Sequence, residues 1–254
     1  MPTPAATFEH LEAHHLRWRR AHRWIVDRVS LLVRPGEIVG LLGPNGAGKT
    51  VTLSMIAGLI RPTSGMIRIG DHDVTRLSLD KRSHFGLGYL PQERSVFTKL
   101  SARDNVAAIL EAHGVRGDEL GRRTTSLLEE FGLSHVADSL AMRLSGGEQR
   151  RLEVARSLAA EPRFLLFDEP FAGIDPLTIE SLHGVLDGLR TSGVGILITD
   201  HNVRETLSLC DRAYVLFAGR VLAEGTPASL IENDAVRHRF LGDTFELVDT
   251  TGTD

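Results

Sequence analysis

At 254 residues, 42% hydrophobic and 24% charged, the chain can bury a core and is long enough for one large domain or two small ones. Its formal net charge of −4 excludes the strongly basic balance of a nucleic-acid binder. The single cysteine, Cys210, excludes an internal disulfide framework and suits a reducing compartment. No stretch approaches the ~18 apolar residues of a membrane span. The N-terminal region lacks the apolar run of a secretory signal, because His and Arg interrupt it. The expectation is a soluble cytoplasmic protein that binds no nucleic acid and meets a membrane only through partners.

To about Val33, apolar and polar residues alternate, which predicts antiparallel strands joined near Arg19 to His22. Ile38-Val39-Gly40-Leu41-Leu42 is an unbroken apolar run and predicts a buried strand. It leads directly into Gly43-Pro44-Asn45-Gly46-Ala47-Gly48-Lys49-Thr50, which fits G-x-x-x-x-G-K-T, and Thr50 to Leu59 then predicts a helix. Strand, loop and helix in this order form a cradle for a triphosphate. Glycines let backbone N–H groups face phosphate with no Cβ in the way, and the helix start adds partial positive charge. Lys49 can reach the β- and γ-phosphates, and the Thr50 hydroxyl can ligate Mg²⁺. An ordinary Gly-rich turn requires neither the lysine nor the threonine.

Met66 to Ile69 predicts a short strand closed by Gly70-Asp71. From Asp104 to about Arg143 the pattern turns helical, with Leu120, Leu127, Leu128 and Phe131 as its apolar face. This stretch interrupts an α/β pattern and is read as an inserted helical subdomain. Ser145 and Glu148 then form S-x-x-E, a capping box, with Gly146 and Gly147 between them and Leu152, Ala155 and Leu158 on the buried face beyond. This is a second exposed helix start that phosphate could meet. Phe164 to Phe167 predicts a strand that ends in Asp168 and Glu169. Taken alone, Asp-Glu-Pro reads as a solvated turn. Beside a phosphate loop, Asp168 is placed to hold Mg²⁺ and Glu169 to act as general base on water. Pro176 to Arg190 predicts a helix through Leu182, Val185, Leu186 and Leu189, and Ile196 to Thr199 a strand. Val203, Thr206, Leu207 and Cys210 share one helical face, so Cys210 reads as core. Ala213 to Phe217 predicts a last parallel strand, and Val248 to Asp254 a frayed end.

Leu144-Ser145-Gly146-Gly147-Glu148 resembles the signature motif of ABC-type ATPases, with Glu148 where glutamine is usual. The resemblance covers nearly the whole chain in the family's order. Leu90-Pro91-Gln92-Glu93 looks like its Q-loop, Ala172-Gly173-Ile174-Asp175 its D-loop and Thr199-Asp200-His201 its switch region. It implies a P-loop α/β fold with a mostly parallel core sheet, an N-terminal antiparallel β subdomain and an inserted helical subdomain. Residues 1–92 and 160–240 would form the nucleotide-binding core, about 93–159 the helical subdomain with the signature, and 241–254 a tail. It further implies ATP and Mg²⁺ as ligands, with Gln92 near the metal and the attacking water, and His201 on the γ-phosphate. Two copies would pair head to tail, so that Ser145, Gly146, Gly147 and Glu148 of one chain and Asp175 complete a site built on residues 43–51 of the other. Val51 stands where the family often has a second hydroxyl, which leaves its backbone N–H as the only phosphate contact. The adenine-stacking aromatic is expected on the early strands, as Trp18 or Trp24, with Trp18 preferred because Trp24 leads directly into Ile25-Val26.

Within the family, residues 88–93, 168–176, 198–206 and 240–247 resemble the ATPases of lipopolysaccharide-export transporters. That resemblance implies two integral membrane permease subunits on the inner membrane, which dock in a groove beside the Q-loop. Ser95, Val96, Phe97 and Leu100 are candidates for that groove or, equally, for packing under the helical subdomain. Branched-chain amino-acid importers and soluble ABC ATPases of iron–sulfur assembly are the alternatives. Arg17, Arg19, Arg20 and Arg23 read as a solvated strand face more readily than as a lipid-binding patch.

Overall fold

The computed structural model describes residues 10–93, 95–172, 176–242 and 245. Asp175 and most of the C-terminal tail lie outside the described residues.

The N-terminal hairpin β1 (Leu11–Arg20) and β2 (Arg23–Val33) joins β4 (Ser64–Ile69) and β5 (His72–Asp73) in an antiparallel sheet of order β2-β1-β4-β5. A second sheet has order β10-β9-β3-β8-β7-β6, from β3 (Ile38–Leu42), β6 (Leu87–Leu90), β7 (Phe164–Asp168), β8 (Gly195–Thr199), β9 (Arg212–Phe217) and β10 (Arg220–Gly225). Its strands pair in parallel except at the β9–β10 hairpin. The residues of β3, β7 and β8 are buried throughout, as continuous apolar runs covered on both faces require.

Helix α1 (Lys49–Ala57) packs between the two sheets, where Leu53, Met55 and Ile56 join Leu16, Val26, Leu41, Leu166 and Leu197 in one core. The short α2 (Leu79–Ser83) follows β5. On the opposite face of the larger sheet lie α3 (Ala102–Ala112), α4 (Gly117–Glu130), α5 (Gly146–Ala159) and α6 (Pro176–Thr191). Val106, Leu128, Leu152 and Leu186 from these helices, with Phe131 just past the end of α4, bury a second core with Leu165, Phe167 and Ile198.

Two helix ends differ from the sequence expectation. Helix α1 stops at Ala57, short of Leu59, because Gly58 turns left-handed at φ 89°. A Cβ at Gly58 would lie 2.9 Å from both Arg82 Nε and Leu77 O, so the position suits glycine on two counts. Helix α7 (Val203–Leu209) ends one residue before Cys210, which is extended at ψ 140° but remains buried as expected.

Arg82 on α2 is 1% exposed and is spent on α1. It donates to Met55 O at 2.8 Å and to Ile56 O, and also to Leu77 O and Thr75 O. A guanidinium thus closes the carbonyl end of the phosphate-loop helix, where a cation is also favoured by the helix dipole. Burial draws its pKa down to about 10, so the charge persists at neutral pH. Arg82→Met removes all four of these bonds, leaving Ile56 O without this buried donor, and is expected to cost about 3 kcal/mol of unfolding free energy by urea denaturation. A loss below about 0.5 kcal/mol, the ordinary surface range, would show that α1 does not depend on this cap.

Candidate functional site: four loops at the carboxyl ends of adjacent strands

Strands β3, β8, β7 and β6 are neighbours in that order. Their carboxyl ends lead into Gly43, Asp200-His201, Glu169 and Gln92 respectively. Segments far apart in sequence therefore meet along one edge of a parallel sheet, the usual place for a ligand in such folds.

The residue 43–50 loop is built by its glycines. Gly43 has φ 144°, and a Cβ there would meet Leu216 O at 2.2 Å; Gly48 has φ 104°, and its Cβ would meet Ile25 O at 2.8 Å. Gly46, at φ 78°, faces open space. Lys49 is 7% exposed and folds back over the loop, with Nζ donating to Gly43 O at 2.6 Å and Pro44 O at 3.3 Å. Burial lowers the pKa of this ammonium, against the pull of Glu169, Asp168 and Asp200. Asn45, Gly46 and Thr50 are exposed, Pro44 is half-buried and Ala47 is buried. Val51 is half-buried and packs against the core between the sheets.

Asp168 is 3% exposed and accepts from Thr199 Oγ1 at 2.7 Å. Burial, reinforced by the Glu169 charge, raises its pKa against that hydrogen bond. Glu169 has φ 48°, a left-handed backbone that is strained for a non-glycine residue. Its N–H donates to Thr199 O at 2.8 Å, which holds the turn. Glu169 Oε2 accepts from Gln92 Nε2 at 2.9 Å and lies 3.4 Å from His201 Nδ1. Asp200, fully buried, accepts from the N–H groups of Phe171 and Asn202 at 3.0 and 2.8 Å, and its Oδ1 lies 3.4 Å from His201 Nδ1. Thr199 and Asp200 thus fix the switch segment to the loop after Glu169. Sequence reading placed both in a motif without giving either a role; the signal available was a hydroxyl and a carboxylate ending an apolar strand.

Ser145 and Glu148 form the expected capping box at the start of α5. Ser145 N donates to Glu148 Oε2 at 2.8 Å and Glu148 N to Ser145 Oγ at 3.3 Å, while His135 Nε2 lies 3.0 Å from Glu148 Oε1. The bonds from Ser145 hold the Glu148 carboxyl below the usual range against burial, with a smaller contribution from His135. Ser145 and Gly146 are exposed, and a Cβ at Gly146 would touch nothing within 4 Å. Among the described residues, no hydrogen bond or ion pair links residues 145–148 to residues 43–51.

Trp18 is half-buried and packs against the core that also receives Val51 and Ile25. Trp24 is 37% exposed, with the Arg17 guanidinium 4.2 Å and that of Arg19 5.8 Å from its ring centroid. Arg17 is no free surface charge, since it pairs at 2.9 Å with buried Asp27, which Arg220 also holds. Val96 packs into the core, whereas Phe97 and Leu100 are 49% and 37% exposed. Ser95 lines a groove with Tyr89, Ser83, Ile109, Glu153 and Arg156.

No group of three or more His, Cys, Asp or Glu is arranged to hold a metal ion among the described residues. The oxygen donors offered by exposed Thr50 and buried Asp168 are of the kind a hard cation such as Mg²⁺ takes, one or two at a time, together with substrate phosphates and water.

A family model described as "ABC transporter" matches residues 26–172. Over 238 residues the chain is 47% identical to the lipopolysaccharide export system ATP-binding protein LptB of Escherichia coli K12, covering 93% of this chain and 99% of that protein. It is 49% identical over 239 residues to LptB of Acidithiobacillus ferridurans, with 94% and 99% covered. A solved dimeric post-hydrolysis state of an ATP-binding cassette, bound to ADP and Pi, superposes with a TM-score of 0.76 at 25% identity, over 85% of this chain and 98% of that one. With a family model across more than half its length and such relatives across nearly all of it, the chain belongs to the ABC transporter family of ATP-binding proteins.

Proposed function

We propose that the chain is the ATP-hydrolysing subunit of a lipopolysaccharide-export transporter. The observation that carries the chemistry is the convergence of Lys49, Asp168, Glu169, Gln92 and His201 on one sheet edge. The likeness to LptB over nearly the full length supports the transport assignment.

Residues 43–51 cradle the triphosphate, with Lys49 leaving the loop carbonyls for the β- and γ-phosphate oxygens. Thr50, Asp168 and Gln92 would hold Mg²⁺, which when bound neutralises charge on those oxygens. Glu169 takes a proton from the attacking water, Gln92 positions that water, and His201 reports the γ-phosphate to the switch segment. Trp18, half-buried against the core that Val51 also meets, stacks on adenine. Ser145 to Glu148 and Asp175 serve the partner copy's nucleotide, which explains why one chain carries two phosphate-facing helix starts. Residues 1–92 and 160–240 form the nucleotide core, about 93–159 the signature-bearing helical part, and 241–254 a tail.

Two membrane permease subunits dock in the groove beside Ser95, with exposed Phe97 and Leu100 at its rim. The chain works on the cytoplasmic face of the inner membrane. Those partners carry its contact with the membrane; among the described residues no helix is long and apolar enough to cross a bilayer.

The test is recovery of tagged Glu169→Gln chain from its native host, in detergent with ATP, followed by mass spectrometry. Two polytopic membrane subunits together with periplasm-facing bridge components are expected. Importer permeases, or soluble partners with no membrane protein, would overturn the export assignment.

A further inference from the structure

The segment after Gln92 is gripped by the helix that begins at Ser145. The grip falls on one residue, Ser95, and takes both of its backbone groups. Ser95 N donates to Glu153 Oε1 at 2.7 Å, and Arg156 Nη1 donates to Ser95 O. Glu153 and Arg156 lie one helical turn apart on α5, so they present a single face. Glu153 is 3% exposed, and its other oxygen accepts from Arg150 Nη1 at 2.8 Å. The Arg156 guanidinium lies 4.5 Å from the Phe97 ring centroid. Phe97 is fixed in turn by fully buried Asn105, which accepts from its N–H at 2.8 Å and donates to its C=O at 3.0 Å.

Upstream of Ser95, Gln92 donates to Glu169. One short segment therefore touches the candidate base at one end and the signature helix at the other. Helix packing alone could be met by apolar residues; a buried carboxylate is costly unless it is paired and hydrogen-bonded. Here the carboxylate is bonded to the loop it faces.

We propose that Glu153 and Arg156 are positioning residues that clamp Ser95 to α5, so that Gln92 and the Ser145 helix start move as one body. This rests on Gln92 and Ser145 serving ATP turnover as described above. Ser95, Glu153 and Arg156 also line the groove, so a partner seated there presses on the clamp itself.

The test joins amide exchange at Ser95 to steady-state ATP hydrolysis by the full chain. Glu153→Leu is expected to speed Ser95 exchange and to lower kcat about tenfold, the size of one lost buried hydrogen bond. KM for ATP should stay within about twofold, because the phosphate loop is untouched. Glu153→Gln keeps an acceptor oxygen and should recover most of kcat. Because Glu153→Leu strands Arg150 and can compromise folding, Arg156→Met makes the same test from the other side of Ser95, with a thermal melt to verify the fold. The two changes act on one clamp, so combining them should cost no more than the worse single change. Faster Ser95 exchange with unchanged kcat would overturn the clamp, as would kcat losses that multiply in the double variant. A wild-type chain that binds but never hydrolyses ATP would remove the underlying ATPase reading, and the clamp with it, before any variant is compared.

Discussion

Glu169→Gln is expected to bind ATP with near wild-type affinity and to hydrolyse it at least ~100-fold more slowly, the lower end of what a positioned general base contributes. The substitution is nearly isosteric, so the Thr199 O bond to the residue 169 amide and the contact with Gln92 can both persist. What disappears is the carboxylate oxygen that can receive a proton. His201, 3.4 Å away, is a poor substitute, because its Nδ1 already faces both Glu169 and Asp200. Glu169 sits at a strained left-handed φ of 48°, directly after the strand, with its carboxylate in contact with both Gln92 and His201. Single-turnover hydrolysis with separately measured ATP affinity distinguishes loss of the base from loss of binding. Hydrolysis within threefold of wild type would remove Glu169 from the base role.

The parts of this protein that sequence made legible are those whose chemistry is local. Phosphate-loop glycines are required by positive φ and by backbone contacts under 3 Å at Gly43 and Gly48, so the motif and the geometry are one statement. The continuous apolar runs at Phe164–Phe167 and Ile196–Thr199 suit strands covered on both faces, and they are buried strands. The capping box at Ser145 and Glu148 likewise needs nothing beyond its own turn. Long-range pairing was not legible. Nothing in residues 76–85 marks Arg82 as a buried cap for a helix some 27 positions earlier. A glutamate eight residues into the signature motif's helix does not announce a bond to Ser95, 58 positions away. Trp18 and Trp24 could not be ranked firmly by pattern. Their difference comes from sheet register, which places Arg17 and Arg19 against the ring of Trp24 and turns Trp18 to the core beneath the phosphate loop.

Ser145→Arg, placed in the Glu169→Gln background, is expected to leave ATP binding to the isolated chain unchanged and to abolish the ATP-dependent dimer. The first half follows from distance in connectivity: Ser145 shares no bond with residues 43–51 of its own chain, so nothing in the cis nucleotide site changes. The second half follows from what the helix start offers. Ser145 and Gly146 are exposed, open around Gly146, and ordered by the reciprocal Ser145–Glu148 bonds. Arginine removes that cap, at about 1 kcal/mol to the local turn, and fills the open space where a partner's phosphates would meet the N–H groups. A closed dimer needs two such contacts related by two-fold symmetry, so a defect in one copy is felt twice in the homodimer. Light scattering with and without ATP should show a monomer at concentrations where Glu169→Gln alone dimerises. Mixing the Ser145→Arg chain with the Glu169→Gln chain gives the sharper result. Each mixed pair has one intact composite site and one blocked, so closure should be weakened relative to Glu169→Gln alone yet stronger than in the doubly blocked pair. Mixed pairs that close as tightly as Glu169→Gln itself would mean that the Ser145 helix start does not meet the partner's nucleotide, and the shared-site arrangement would be wrong.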